Sequence, residues 1–309
     1  MSTIESPKLV EETEVVSETR RSPRVTAGAK RWIPLLIAPI CLGLLVVYFS
    51  AVQGLALGFT DWDLISPAEW IGLQNFETAL NDPLFWKSLG NTLLLVVLTV
   101  PAKIVIGLGL GLALARIPRF GTFFRLALFF PTTCSVVAVA FIWMYLYDAD
   151  GILNQFARMV GLPAVNWMAP ERALSSIGLM IVWAGVGYVA LLYVAGLKAI
   201  PNEYYDAARV DGANAWQRFR YLTLPMLTPT TFFVLITGVI AGFQTFGEVY
   251  VLSGPLNSTL TILRYIYDRA FTGLQMGYAA ALSIFLIALL LIVTTIQLRV
   301  QKRWVNYEV

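Results

Sequence analysis

The sequence predicts an all-α, polytopic membrane protein with six transmembrane helices and both termini in the cytoplasm. Three observations lead there: an excess of apolar residues, six long runs nearly free of charge, and a lopsided placement of lysine and arginine. Hydrophobic residues make up 58% of the 309 and charged residues only 13%, against roughly 45–50% and about 25% in an average soluble domain. A surface that apolar is buried in lipid, not in a soluble core of this length.

Taken in order, the chain opens with an acidic stretch, Glu5 to Glu18, and a basic one, RRSPRVTAGAKR, which together read as a disordered cytoplasmic tail over 1–32. A cleaved signal peptide is disfavoured, because the first apolar run starts too late and is too long. The membrane domain spans 33–297, with runs at 33–59, 88–114, 126–146, 174–197, 226–247 and 276–297, each long enough to cross the hydrocarbon as a helix. Segments with turn signals and charge separate them: TDWDLISPAEW, RIPRFG, YDADG, a long segment from 198 to 225, and SGPLNS. A cytoplasmic tail at 298–309 closes the chain.

The orientation follows from the basic residues. The two tails and the loops that share their side hold sixteen Lys and Arg, the other side holds five (Lys87, Arg158, Arg172, Arg264, Arg269), and Lys103 lies inside a run, which accounts for all 22. The excess places the tails and the 198–225 segment in the cytoplasm. Trp62, Trp70, Trp86 and Trp304 near run ends fit an interfacial belt.

Several function classes are excluded. A net charge of only +3 gives no support to nucleic-acid binding, and in a chain without histidine and with two cysteines a zinc or disulfide framework is not expected. Cys41 and Cys134 both sit in apolar runs and read as packing residues. The GLGLG glycines 107, 109 and 111 lie inside a span, so they serve close helix packing, not phosphate binding.

The 198–225 segment is too long and polar for a mere connection. Pro201 suits a first helical turn, Asn202 to Val210 contains no breaker, Gly212 interrupts, and a second short helix is expected from Ala213 to Tyr221 before Leu224-Pro225 restarts the chain. Its aromatics and arginines equally suit an amphipathic segment lying on the inner leaflet. The spacing is what distinguishes it: Asp206-Ala207-Ala208, three residues, Gly212, nine residues, then LTLP ending at Leu224-Pro225 resembles the EAA loop of ABC importer permeases, with Asp206 in place of the glutamate. Shorter stretches in the same order, WIGLQNF, DPLFWKSLGNT, FRLALFFP, FQTFGEVYVLSGP and YIYDRAF, resemble the sugar-permease branch, the first permease of maltose-type or glycerol-phosphate-type importers.

That resemblance implies a type I ABC importer permease fold and a non-catalytic membrane subunit in the bacterial inner membrane. The same resemblance implies import of a sugar or sugar derivative by alternating access. The loop then forms a coupling helix, with Asp206, Ala207, Ala208, Gly212, Leu224 and Pro225 as its signature. The implied partners are a second permease, two nucleotide-binding ATPase subunits and an extracytoplasmic solute-binding protein or lipoprotein, in contact with membrane lipid. This chain binds no cofactor; ATP and Mg sit on the ATPases, in keeping with the absence of any GxxxxGK[ST] sequence.

Candidates for the substrate pathway come from the residues themselves. Lys103 is an ionisable group near the middle of a span, where it either has a function or pairs with a carbonyl or carboxylate nearby. Gln244 and Glu248, four apart, are expected to share a helix face at the outer end of the fifth span and to reach sugar hydroxyls. Trp183 and Tyr188 in the fourth are stacking candidates, with packing as the alternative role. The rival reading is an ion-driven secondary transporter, which would show paired intramembrane carboxylates or repeats with broken helices. An embedded enzyme fits less well, since no nucleophile or metal cluster is apparent.

Overall fold

The computed structural model describes the backbone of residues 27–117 and 121–305, and the side chains from 37 to 302 within those limits and of Val305. Met1–Val52 and Gln53–Val309 form two separate units. The first apolar run is a single helix, α1 (Ala27–Ala56), which begins inside the stretch expected to be a tail; the rest of that tail lies outside the described residues.

In the second unit a short turn and a two-residue hairpin, β1 (Thr60–Asp61) against β2 (Glu69–Trp70), lead through α2 (Gln74–Leu80) into the longest helix, α3 (Pro83–Arg116). The start of α3 is fixed by its sequence: the Asp82 carboxylate accepts the Leu84 N–H at 2.8 Å and Pro83 occupies the first turn. The helices that follow are α4 (Gly121–Thr133), α5 (Val136–Leu146), α6 (Ile152–Met159) and α7 (Ala173–Ala199). After α8 (Asn202–Val210) come α9 (Ala215–Arg218), a π turn over Phe219–Thr223, α10 (Leu224–Met226), α11 (Thr228–Phe243) and α12 (Gly247–Val251). The chain ends in α13 (Ile262–Tyr267), a second π turn at Asp268–Thr272, and α14 (Met276–Trp304). That last helix runs through Trp304, so most of the expected tail from 298 is helical; 306–309 lie outside the described residues.

The α3 and α7 helices pack in parallel. A Cβ on Gly107 would meet the Val189 Cγ1 at 2.5 Å, and one on Gly111 would meet the Tyr193 Cβ at 2.7 Å, so these two glycines let the backbones close up, as expected of GLGLG; Gly109 faces open space. Tyr278 on the first turn of α14 reaches Asp82 at the start of α3, so α14 shares that direction. The last turns of α3 and α7, with Arg116 and Lys198, and the C-terminal part of α14 with Arg299 thus fall at one end, and the loop with α8 and α9 begins there. The α11 helix runs the other way, with Gly238 against Val100 and Gly242 against Val96.

Two of the expected spans are interrupted. The third is a bent pair, α4 and α5, turned by 96° at Cys134 and Ser135. Pro131 lacks the N–H for the preceding turn, the Thr133 hydroxyl donates to the Phe130 carbonyl, and Ser135 is extended. The fifth breaks after Phe243, because Thr245 and Phe246 leave the helical conformation and Gly247 is pressed against Val136 of α5, where a Cβ would lie 2.8 Å from Cγ1. Such backbone survives at membrane depth only if its polar groups find partners. Thr261 donates to the Thr245 carbonyl at 3.0 Å, and Arg264 to the Val249 carbonyl at 2.6 Å.

Candidate functional site

The loop is held by its two ends and open along its middle. Ile200 and Leu227 are buried with Val189, Tyr193 and Val234, and Tyr205 and Met226 pack against the same cluster. Tyr205 and Thr223 share a hydroxyl hydrogen bond of 3.1 Å, which ties α8 to the π turn, and Tyr193 donates to Thr231 at 3.1 Å. Gly212 has φ of +78°, the left-handed conformation expected of it, and turns the chain between α8 and α9. An Asn214/Gln217 capping box starts α9. Where one short helix was expected to Tyr221, α9 instead continues through the π turn into α10, because the Leu224 N–H bonds back to Phe219.

No residue of α8 is buried. Val210 is 88% exposed, Trp216 67% and Tyr221 75%, an amount of apolar surface that calls for a cover. Ala207 is exposed and Ala208 half-buried, so a small-residue face is presented outward. Asp206 pairs with Arg209 at 2.5 Å within the loop, which occupies the carboxylate expected to face an ATPase.

The second cluster lies where the two helix breaks meet. Lys103 of α3 passes across α7 at Gly185, where a Cβ would be 3.0 Å from its Cε and Nζ. It lines a cavity of about 180 Å³ together with Thr132 at the α4–α5 break, Cys134, Ile181 and Glu248 of α12. A second cavity of about 210 Å³ shares Lys103, Thr132 and Gly185 and adds Tyr188 and Thr237. The Thr132 hydroxyl donates to the Ala184 carbonyl at 2.9 Å, pinning the break to α7. Among the described residues neither Lys103 nor Glu248 has a hydrogen bond or ion pair, although the Glu248 charge acts on Lys103 across the cavity. The carbonyl or carboxylate partner considered for Lys103 is therefore not within contact.

The other pathway candidates divide. Gln244 caps α11 and is exposed, and the break beyond it removes the shared helix face on which it was linked to Glu248. Trp183 stands edge-on to Trp143 with ring centres 5.6 Å apart and remains 47% exposed, while Tyr188 borders the second cavity. Sequence reasoning missed Thr132 and Gly185. The signals were present as Pro131-Thr132-Thr133 in the third run and Ala184-Gly185-Val186-Gly187 in the fourth.

At the opposite end of α3 sits a polar cluster also missed. Asp82 accepts hydroxyl hydrogen bonds from Tyr265 and Tyr278, and Arg269 donates to the Tyr265 oxygen at 2.8 Å with its guanidinium 4.9 Å from that ring. Burial works against the Asp82 charge, but the two phenols, the Leu84 N–H and Arg269 outweigh it and hold the carboxyl below its ordinary range.

The comparisons with known proteins agree with this architecture. The family described as binding-protein-dependent transport system inner membrane component matches residues 103–306. The chain is 36% identical over 283 residues to a probable ABC transporter permease protein, YesP of Bacillus subtilis, covering 88% of this chain and 91% of that protein. It is 35% identical over 304 residues to the sulfoquinovosyl glycerol transport system permease protein SmoG of Agrobacterium fabrum, with 94% and 98% covered. A crystal structure of a bacterial ABC transporter that imports the acidic polysaccharide alginate shares the fold, with a TM-score of 0.78 at 23% identity over 90% of this chain and 98% of that one.

Proposed function

Because the chain belongs to the family of binding-protein-dependent transport system inner membrane components, and is a permease subunit of an ABC sugar importer, we propose that it carries a sugar or sugar derivative inward by alternating access, driven through the 198–227 loop by separate ATPase subunits. Broken helices, the mark assigned to a secondary transporter, are present here, and family membership decides against that rival.

One observation carries the coupling assignment. The loop exposes a wide apolar and small-residue surface while its two ends are buried in the cluster that joins α7 to α11. A partner closing on α8 and α9 pulls on Ile200 and Leu227 together, and so on both helices at once. ATP and Mg belong to the two ATPase subunits, a second permease completes the pathway, and an extracytoplasmic binding protein delivers the solute. The common end of Arg116, Lys198 and Arg299 supports a cytoplasmic placement of the loop and of the C-terminal end of α14.

The test is reconstitution of the whole complex in proteoliposomes. ATP inside and loaded binding protein outside are expected to give concentrative sugar uptake that stops when ATP is withdrawn. Uptake that follows an imposed ion gradient without ATP overturns the reading. For orientation, cysteines placed beside Arg158 are expected to react with impermeant thiol reagents from outside and those beside Arg218 not; the reverse labelling inverts the topology.

A further inference from the structure

Lys103 of α3 and Glu248 of α12 stand in one cavity, and among the described residues neither charge is neutralised by contact. An unpaired ammonium and an unpaired carboxylate at the depth of broken helices are costly, and such groups persist where a ligand completes them. Their chemistry is complementary but one-sided: an ammonium only donates hydrogen bonds and a carboxylate only accepts them. A hydroxyl does both, so a hydroxyl-rich ring satisfies the two at once. A solute with net charge does not, because a carboxylate or sulfonate that meets Lys103 also faces Glu248, and the low dielectric makes that repulsion large.

We infer that Lys103 and Glu248 form a transient clamp for one uncharged, hydroxyl-rich glycosyl unit at the α4–α5 and α11–α12 breaks, an inference that rests on the sugar-importer reading above. The rest of the cavity suits such a ring. Thr132 adds a hydroxyl, and Ile181, Met180 and Val139 supply apolar wall for the C–H faces of a pyranose. The second cavity, with Tyr188 and Thr237, shares Lys103, Thr132 and Gly185 with the first, so a released unit has a neighbouring place to move into. Lys103 lines both cavities and is placed to pass the ring from one to the next, whereas Glu248 lines only the first.

The experiment uses the full complex in proteoliposomes with labelled maltotriose, xylotriose, arabinotriose and the galacturonic acid trimer as probes. Wild type is expected to carry at least one neutral probe and to discriminate against the uronate. Lys103→Met and Glu248→Gln each lower neutral uptake roughly tenfold or more, the size of losing a hydrogen bond to a charged group, while the complex still elutes intact on size exclusion. Glu248→Gln also narrows the gap between uronate and neutral sugar. Cys134 lines the same cavity, so its alkylation by N-ethylmaleimide, read on the Cys134 peptide by mass spectrometry, is slowed by the carried sugar in wild type and not in either variant. Sugar uptake with both single variants unimpaired, or preferred uptake of the uronate by wild type, overturns the clamp and leaves the importer standing. So does restoration of transport in the Lys103→Met/Glu248→Gln double variant, which would mark the two charges as a latch or as partners for the second permease. Neutral-sugar uptake by wild type that follows an imposed ion gradient without ATP overturns the importer reading and the clamp with it.

Discussion

The loop around Gly212 and the cavity around Lys103 are built in opposite ways. In the loop, consecutive residues form two short helices that bury almost nothing of their own and present their surface outward. Around Lys103 the walls come from α3, the α4–α5 break, α7 and α12, brought together by glycines at the crossing points. A docking surface is complete in one stretch of chain and lacks only its partner. A pathway has no local sequence, and its shape depends on how closely distant helices approach.

If that difference is real, damage at a crossing point destroys the fold, and damage to the loop destroys only coupling. The strongest test is Gly187→Val. A Cβ on Gly187 would overlap the Leu128 carbonyl oxygen of α4, a backbone atom that cannot step aside, so the cost exceeds the roughly 1–3 kcal/mol of ordinary overpacking. Loss of the monodisperse complex on size exclusion is the expected result; an intact and active complex would show that α4 does not depend on this approach.

Next come Ala207→Trp and Gly212→Val in the loop. The first spoils an exposed small-residue face; the second places a β-branched residue at φ of +78°, at a strain of about 1–2 kcal/mol or more. Uptake is expected to fall to background while the permease still inserts and purifies. If instead it fails to insert, the loop is part of the folding core and the contrast collapses.

These two regions also differ in how much the sequence revealed. The second, fourth and sixth spans were legible because α3, α7 and α14 each carry one long apolar run without a break, although α3 starts earlier and α14 ends later than those runs. The loop was legible because Gly212, the alanines and Leu224-Pro225 lie at fixed spacing in one segment. The breaks were not. Apolar residues continue across Cys134 and Ser135 without a charge, so hydropathy reads one span where the backbone turns by 96°. Between Gln244 and Glu248 no proline marks the interruption; Gly247 yields because Val136, more than a hundred residues earlier, presses on it. Only tertiary contact holds that information, and the same is true of Asp82 with Tyr265 and Tyr278.

Asp82 gives a smaller effect that sharpens the contrast at the far end of α3. Its carboxyl titrates below the usual value of about 4, so its stabilisation is fully present above that pH and is lost as pH falls through the lowered folded value. Asp82→Asn is expected to lower stability by about 1–3 kcal/mol at neutral pH, the cost of losing hydrogen bonds to a charged acceptor. It also flattens the acid limb of the thermal unfolding midpoint, followed by tryptophan fluorescence. An unchanged acid limb would assign that limb to other carboxylates. The smallest effect is Gly109→Ala: the added methyl meets nothing within 4 Å, so a gain of up to about 1 kcal/mol in helix preference is all that remains. A marked loss there would mean that the neighbouring subunit approaches as closely as Val189 and Tyr193 do at Gly107 and Gly111.

The π turn at Phe219–Thr223 changes what the nine-residue interval after Gly212 means. A π turn is an α-helix carrying one residue too many, and one residue is about 100° of rotation in a helix of 3.6 residues per turn. Everything after it is set in angular phase by that single surplus. Downstream of it, after the turn at Leu227, Thr231 of α11 meets Tyr193 of α7. Deleting any one residue from the turn would relax it to a regular helix and rotate the lipid-facing and core-facing sides of α11 against their neighbours, whatever the residue's identity. The interval acts as a clock setting, in which the count of residues carries the information and their chemistry is free to vary.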